Sequence, residues 1–333
     1  MPYPRAVVEA VEEAYTRKRA AAEDEARRRT AALYEKYPPL KAIDEALAAT
    51  GPKIFAAAMK GPDGLQARIE TIKAENLELQ EDRARILALE GFPPDYLDVH
   101  YDCAACKDTG VAGGIICACK VKALRKAAFE ASELGSSLKS QTFSTFDLSY
   151  YSDKPHADGT SDRANMENIL KTAKNYVKAF GKAGRGENLL FMGGTGLGKT
   201  HLSSAIAMGV LEGGYDVVYE SFLTVCNKAE AATFRHDGDA ADDLERAKTC
   251  DLLVIDDLGT EMKSSFTQSV LYELLNTRIN AGLAIVASTN LDDLPALKKQ
   301  YDDRIISRLV GSFRSFRFVG SDVRIQKVTR RKK

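Results

Sequence analysis

The sequence has no tryptophan and no net charge, 47 lysines and arginines standing against 47 aspartates and glutamates. A balanced chain is not drawn to nucleic acid by its overall field, so any polyanion contact must be local. One local excess exists. Arg304 to Lys333 carry ten basic residues against the single acid Asp322, a region suited to a polyanion or to a solvated tail, with Arg330 to Lys333 read as tail. No apolar run approaches the ~20 residues needed to span a bilayer. Met1 to Leu40 is too charged for a signal peptide. These absences leave no membrane-spanning helix to expect and place the protein in the cytoplasm. In that reducing compartment, six cysteines argue against a disulfide framework and toward metal or free thiols.

The length suits two domains at roughly 150 residues each. Val7 to Glu35 reads as a charged, alanine-rich helix with sparse apolar positions Val7, Val8, Val11, Tyr15 and Leu33. Pro38-Pro39 stop it. A second helix runs from Leu40 to Ala49. A third runs from Leu65 to Glu90, with Leu65, Ile69, Ile72, Leu77, Leu79, Ile86 and Leu89 at mostly helical spacing. None of these carries a catalytic constellation, and they read as a packing or partner-binding module. A further helix spans Val121 to about Leu134. Gly135 to Ser161 reads as a linker resting on the next domain, because Phe143, Phe146, Tyr150 and Tyr151 are too many aromatics for free chain. From Arg163 onward helical and strand patterns alternate. Strands are expected at Asn188–Met192, Val217–Glu220, Leu252–Ile255 and Ala284–Ala287, with helices between them. Such alternation implies an α/β fold with parallel strands and right-handed crossovers.

Gly193-Gly194-Thr195-Gly196-Leu197-Gly198-Lys199-Thr200 fits G-x-x-x-x-G-K-[ST] between an apolar strand and a helix. Glycines let backbone N–H groups turn inward around phosphate oxygens, and the helix presents its positive end to the same anion. Lys199 would reach the β/γ-phosphates of ATP, and Thr200 would offer its hydroxyl to Mg²⁺. His201 adjoins this nucleotide-binding set. Leu252-Leu253-Val254-Ile255-Asp256-Asp257 is a buried strand delivering two acids to its C-terminal edge. Asp256 is expected to hold the Mg²⁺ hydration shell, and Asp257 to orient and deprotonate the attacking water. Asn290 ends another buried strand, where it could bond the water or the γ-phosphate. Arg304 and Arg308 stand four apart on one helix face. An arginine offered across a subunit interface can stabilise transition-state charge, although an exposed helical arginine is more often a surface charge.

Cys103-x-x-Cys106, ten residues, then Cys117-x-Cys119 supplies four thiolates, the number a closed tetrahedral Zn²⁺ site takes. Asp108, Thr109, Gly110, Gly113 and Gly114 are turn formers that fold the chain back between the pairs. His100 is a spare ligand candidate, while Cys226 and Cys250 are expected to pack.

On these residues the chain resembles the AAA+ ATPases of the DnaC/DnaI helicase-loader group, with the IstB-like transposition ATPases as relatives. The resemblance covers about residues 100–328. It makes Gly193–Thr200 the Walker A motif, Leu252–Asp257 Walker B, Asn290 sensor 1, Arg308 the arginine finger and Arg324 sensor 2. It implies a helical, zinc-bearing N-terminal domain over residues 1–135 that engages a DnaB-like replicative hexameric helicase. Residues 136–333 become the AAA+ domain, with a truncated lid, self-association and single-stranded DNA binding. Phe222, Lys228, Phe234 and Arg235 are candidate DNA contacts, with Phe222 and Phe234 more readily read as core. Many AAA+ proteins carry Asp-Glu in Walker B. Asp257 is one methylene shorter, so ATP hydrolysis is expected to be slow and stimulated by DNA or partner. Two other readings stay open, an accessory ATPase for a transposase and an adaptor that binds ATP without hydrolysing it.

Overall fold

The computed structural model describes residues 3–132, 140–157, 159–182 and 186–331. The chain divides into two compact units, 12–117, and 1–11 with 118–333. The expected boundary at 135/136 lies outside the described residues. Among those residues, no helix is long and apolar enough to cross a membrane.

The smaller unit is helical: α1 (Arg5–Lys36), which begins in the other unit's share of the chain, α2 (Pro38–Ala48), α3 (Thr50–Met59) and α4 (Leu65–Leu89). Pro38 and Pro39 open α2 behind its N-cap Tyr37, where a missing N–H costs nothing because the first turn has no internal acceptor. Helix α3 was not expected from the sequence. Leu33, Leu40, Leu87 and Leu97 form this unit's core. The apolar stripe read on α4 is only partly used. Leu77 and Leu89 are exposed, and Leu87, outside that stripe, is fully buried. Helix α4 packs against α2 and α3 but is charged along most of its surface, so its periodicity is a poor guide to its buried side. A two-stranded hairpin, β1 (Val111–Ala112) and β2 (Ile115–Ile116), turns at Gly113 and Gly114. Both glycines have positive φ, 59° and 78°, as a two-residue hairpin turn of the mirror-image type requires.

The larger unit begins with α5 (Ala118–Ala131) and α6 (Asp162–Ala179). It continues as β3 (Asn188–Met192), α7 (Lys199–Glu212), β4 (Val217–Ser221), α8 (Phe222–Phe234), α9 (Gly238–Thr249), β5 (Leu252–Leu258) and α10 (Ser265–Asn280). β6 (Ala284–Thr289), α11 (Leu294–Gln300), α12 (Asp303–Ser312), β7 (Phe313–Arg317) and α13 (Val323–Arg331) complete it. The sheet order is β4-β5-β6-β3-β7, and every neighbouring pair is parallel.

Side chains alternate across a strand, which sorts the core onto two faces. Leu189, Phe191, Leu252, Val254, Ala284 and Val286 enter one apolar cluster. Leu190, Leu253, Ile255, Ile285 and Ala287 enter the other. Both faces are covered, which is why these strands read as continuous apolar runs rather than alternating ones. Truncating Leu253 to alanine in such a core costs about 2–5 kcal/mol. Strand β7 escaped sequence reading. Its Phe-Arg-Ser-Phe-Arg buries only Phe313 and Phe316, the signature of an edge strand with a wet side.

Candidate functional site

The C-terminal ends of β3, β5 and β6 converge beneath a cavity of about 490 Å³. The loop after β3 wraps its floor. Gly196 has φ +76°, and a Cβ there would fall 2.2 Å from the Asp322 carboxyl carbon. Only glycine fits both the backbone and the neighbour. Gly193, at φ +142°, would meet the Phe318 carbonyl in the same way, 2.5 Å away. Gly194 and Thr195 form the exposed tip. Leu197 is buried, and its carbonyl accepts a 2.8 Å hydrogen bond from the Tyr151 hydroxyl. Gly198 is the N-cap of α7, at φ +92°.

Lys199 is 4% exposed. Its Nζ donates to the carbonyls of Gly193 (2.6 Å) and Gly194 (2.7 Å) and to Asn290 Oδ1 (2.8 Å). Burial pulls its pKa below the usual lysine value, with Asp257 and Asp256 pulling the other way. The ammonium is thus held against the loop by neutral acceptors that a phosphate could replace.

Asp256 is buried at the end of β5, its carboxylate accepting from the Tyr219 hydroxyl (2.9 Å) and from Ser288 Oγ. The next residue departs from strand geometry. Asp257 has φ +55°, and the β5–β6 register shifts between Ile255 and Leu258. That kink is pinned by the Asp257 N–H donating to Ser288 Oγ at 3.1 Å. A left-handed non-glycine residue is costly, and here it turns the second carboxyl toward the cavity while the first stays in the sheet. Burial, then the neighbouring Asp256 charge, raises the Asp257 pKa above the ordinary carboxylate value. Asn290 Nδ2 faces Asp257 Oδ1 at 3.4 Å.

Thr195, Gly196, Leu197, Gly198, Lys199, Thr200, His201, Asp257, Asn290 and Arg324 all line the cavity. His201 does so with its Nε2 engaged by the Thr142 carbonyl (2.8 Å) and its ring edge-on to Phe146. Burial lowers its pKa. Arg324 lies near the start of α13. Its positive charge lowers the pKa of Lys199 and, together with Lys199, that of Asp257. Arg308 does not line this cavity. It sits on α12 and donates to Asn276 Oδ1 at 2.6 Å. Arg304 lies over the Tyr272 ring, 5.0 Å from its centroid.

Several contributors were not legible as site residues. Phe146 and Tyr151, noted only as aromatics that pack, close over Gly198. Asp322 lies against Gly196, and Tyr219 and Ser288 hold Asp256. Among the candidate DNA contacts, Phe222 is fully buried core, as its alternative reading had it. Lys228 is paired with Glu220 (2.8 Å) and Asp243 (2.7 Å), so its charge is already compensated. Phe234, read more readily as core, is instead exposed with its ring resting on Phe266, and Arg235 is exposed as well.

The sulfurs of Cys103, Cys106, Cys117 and Cys119 all lie within 4.8 Å of one another, with Cys103 and Cys117 at 3.8 Å. A tetrahedral site with Zn–S of ~2.3 Å places sulfurs about 3.8 Å apart, so the donor set fits zinc. The first pair sits on a tight knuckle, with the Lys107 N–H donating to the Cys103 carbonyl at 2.8 Å and the Thr109 N–H to the Cys106 carbonyl at 3.0 Å. Asp108, 1% exposed, accepts from the N–H groups of Asp102 and Cys103 and faces Lys18. His100 bonds the Asp95 carbonyl instead of joining the cluster. Cys226 and Cys250 are buried, as expected of packing thiols.

Residues 177–308 match the family model of IstB-like ATP binding proteins. The replicative helicase loader DnaC of Escherichia coli (strain K12) is 28% identical over 145 residues, 43% of this chain and 57% of that protein. A candidate insertion sequence ATP-binding protein of Sinorhizobium fredii is 32% identical over 94 residues, 28% of this chain and 31% of that one. The crystal structure of the DnaC helicase loader aligns with 55% of this chain and 99% of its own, at 17% identity and a TM-score of 0.45. The chain spans about half the length of the DnaC relatives it matches.

Proposed function

We propose that this chain, a DnaC/IstB-like AAA+ ATPase, is an ATP-dependent loader of a replicative hexameric DNA helicase. The observation that carries the ATPase half of this reading is the contact set of Lys199. A buried ammonium rests on two loop carbonyls and on Asn290, which also faces Asp257. The lysine, the sensor and the acid therefore share one small polar cluster at the cavity floor.

In this reading ATP phosphates take the loop N–H groups and the Lys199 ammonium. Desolvated as it is, that charge acts at low effective dielectric on the charge developing at the γ-phosphate. Thr200 and Asp256 would hold Mg²⁺, a hydroxyl and a carboxylate being the hard oxygen donors it prefers. When bound, the metal neutralises charge on the phosphates. Asp257, turned toward the cavity and faced by Asn290, accepts the proton of the attacking water. Asn290 orients that water. Arg308, outside its own cavity, would serve the nucleotide of the neighbouring subunit in a self-assembled ATPase. Arg324 would report the nucleotide to α13. The four cysteines would hold a structural Zn²⁺ that shapes the segment between the helical unit and α5. Residues 1–135 would engage the helicase in the cytoplasm, and the ATPase domain would hold single-stranded DNA.

The IstB-like family model and the insertion-sequence relative support a second reading, an accessory ATPase for a transposase. The two separate on a sizing column. Intact chain with ATP is expected to co-elute with a hexameric replicative helicase. Failure to co-elute under conditions where the chain binds ATP would favour the transposase partner. Slow phosphate release equal in wild type and Lys199→Ala, with DNA and helicase present, would leave only a non-hydrolysing adaptor.

A further inference from the structure

A run of polar contacts leads from the turn after Asp257 to the helix that carries Arg308. The Gly259 N–H donates to Glu261 Oε2 at 2.8 Å. Gln300, the last residue of α11, donates its Nε2 to the Glu261 carbonyl (3.1 Å) and to Glu261 Oε1 (3.3 Å). The Gln300 carbonyl accepts from Gln268 Nε2 at 3.2 Å. Gln268 Oε1 in turn accepts from the Asp302 N–H at 3.0 Å. Asp302 is the N-cap of α12, its carboxylate accepting from the Ile305 N–H at 2.9 Å. Gln268 and Asn276 stand eight residues apart on α10, about two helical turns and hence one face. One pins the start of α12 and the other holds Arg308 itself.

The burial of these groups makes the run more than a surface network. Glu261 is 5% exposed and Gln268 8%. The donors on the Glu261 carboxylate are neutral, the Gly259 N–H and the Gln300 amide. A buried carboxylate without a cation is expensive, and packing alone would be served as well by an apolar residue. What the polar set adds is register. The Gln300 amide reaches both the main chain and the side chain of Glu261, and Gln268 uses its amide at both ends, so a small shift of α12 would strand buried donors and acceptors.

We propose that Glu261, Gln300 and Gln268 are positioning residues that hold the arginine helix α12 in fixed register with the Asp257 turn. Their effect is felt at the neighbouring subunit's nucleotide rather than at their own. This inference rests on the reading of Arg308 as acting in trans.

The test uses full-length chains with single-stranded DNA and measures phosphate release and ATP affinity. Gln300→Glu keeps the shape but turns an acceptor toward Glu261. Gln268→Ala breaks the next link independently. Each is expected to slow turnover roughly two- to thirtyfold, the span of coupling effects in such networks, with ATP affinity held. Each is then mixed with Lys199→Ala, which has an empty site but an intact arginine helix. The mixture is expected to release more phosphate than either chain alone, because the Lys199→Ala subunit lends its Arg308 to the intact site next door. Arg308→Ala mixed with Lys199→Ala is the control. If the control gains activity and the glutamine variants do not, the positioning role is wrong. If the control itself gains nothing, the trans reading of Arg308 fails and the inference falls with it. Loss of ATP affinity in both glutamine variants, or wild-type turnover in both, also overturns it.

Discussion

Asn290 accepts a 2.8 Å hydrogen bond from Lys199 through Oδ1, and its Nδ2 faces Asp257 Oδ1 at 3.4 Å. One amide thus spans the lysine read as phosphate-binding and the acid read as the general base. Asn290→Ala should leave ATP bound while turnover falls by about 10²–10³, the usual loss for a preorganised donor. Asp257→Asn should also keep ATP and lose about 10²–10⁴ in rate. Fluorescent-nucleotide binding and single-turnover phosphate release separate the two effects. A large loss of affinity in Asn290→Ala would contradict the arrangement.

Gly196→Ala tests how the loop is held. Its left-handed backbone costs an alanine about 1–2 kcal/mol, and the new Cβ meets Asp322. A lower unfolding midpoint and weaker ATP binding are expected. Adding Asp322→Ala should recover the steric part and leave the backbone part. Full recovery in the double variant would mean that the positive φ carries no cost.

The motifs were legible because each is contiguous. Gly193 to Thr200 and Leu252 to Asp257 need only a strand to deliver them, and strands buried on both faces announce themselves as unbroken apolar runs. Asn290 was legible for the same reason. The partners that complete the site come from afar in sequence. Tyr151 meets Leu197, Asp322 meets Gly196, and Tyr219 and Ser288 meet Asp256 only after the sheet has formed. Nothing local marks a serine or tyrosine in a strand as the holder of an acid on the neighbouring strand. The bend at Asp257 was equally hidden, since aspartate does not demand a positive φ as glycine suggests one. On the helical side, α4 misled because its leucines are spaced for a stripe that its neighbours cover only in part.

The pH dependence of stability should carry a contribution from His201. Burial, the larger effect, and Lys327 lower its pKa below 6.5, while the Thr142 carbonyl opposes them. Above the unfolded value of about 6.5 both states hold the neutral ring and the native state is unpenalised. As pH falls below that value the unfolded chain takes up a proton that the folded chain resists, so stability declines toward the folded pKa. Denaturant midpoints between pH 7.5 and pH 5 should fall less steeply for His201→Gln than for wild type. Parallel slopes would exclude the histidine as the cause.

Zinc should be countable. Metal analysis of purified chain is expected to give one Zn²⁺ per molecule, released by thiol-directed mercurials with a chromogenic chelator reporting it. Cys106→Ser should lose the metal and destabilise the 12–117 unit, since a structural zinc contributes folding energy directly. Full-occupancy zinc in Cys106→Ser would contradict the four-cysteine site.

The central claim is loading, and it is read most directly on closed circular single-stranded DNA, which a ring helicase cannot thread from an end. Helicase bound to the circle is measured with and without this chain and ATP. The account predicts that the chain with ATP raises the bound helicase well above the helicase-alone level, and that Lys199→Ala does not. If wild-type chain that hydrolyses ATP leaves the amount on the circle unchanged, the protein is an ATPase of another kind.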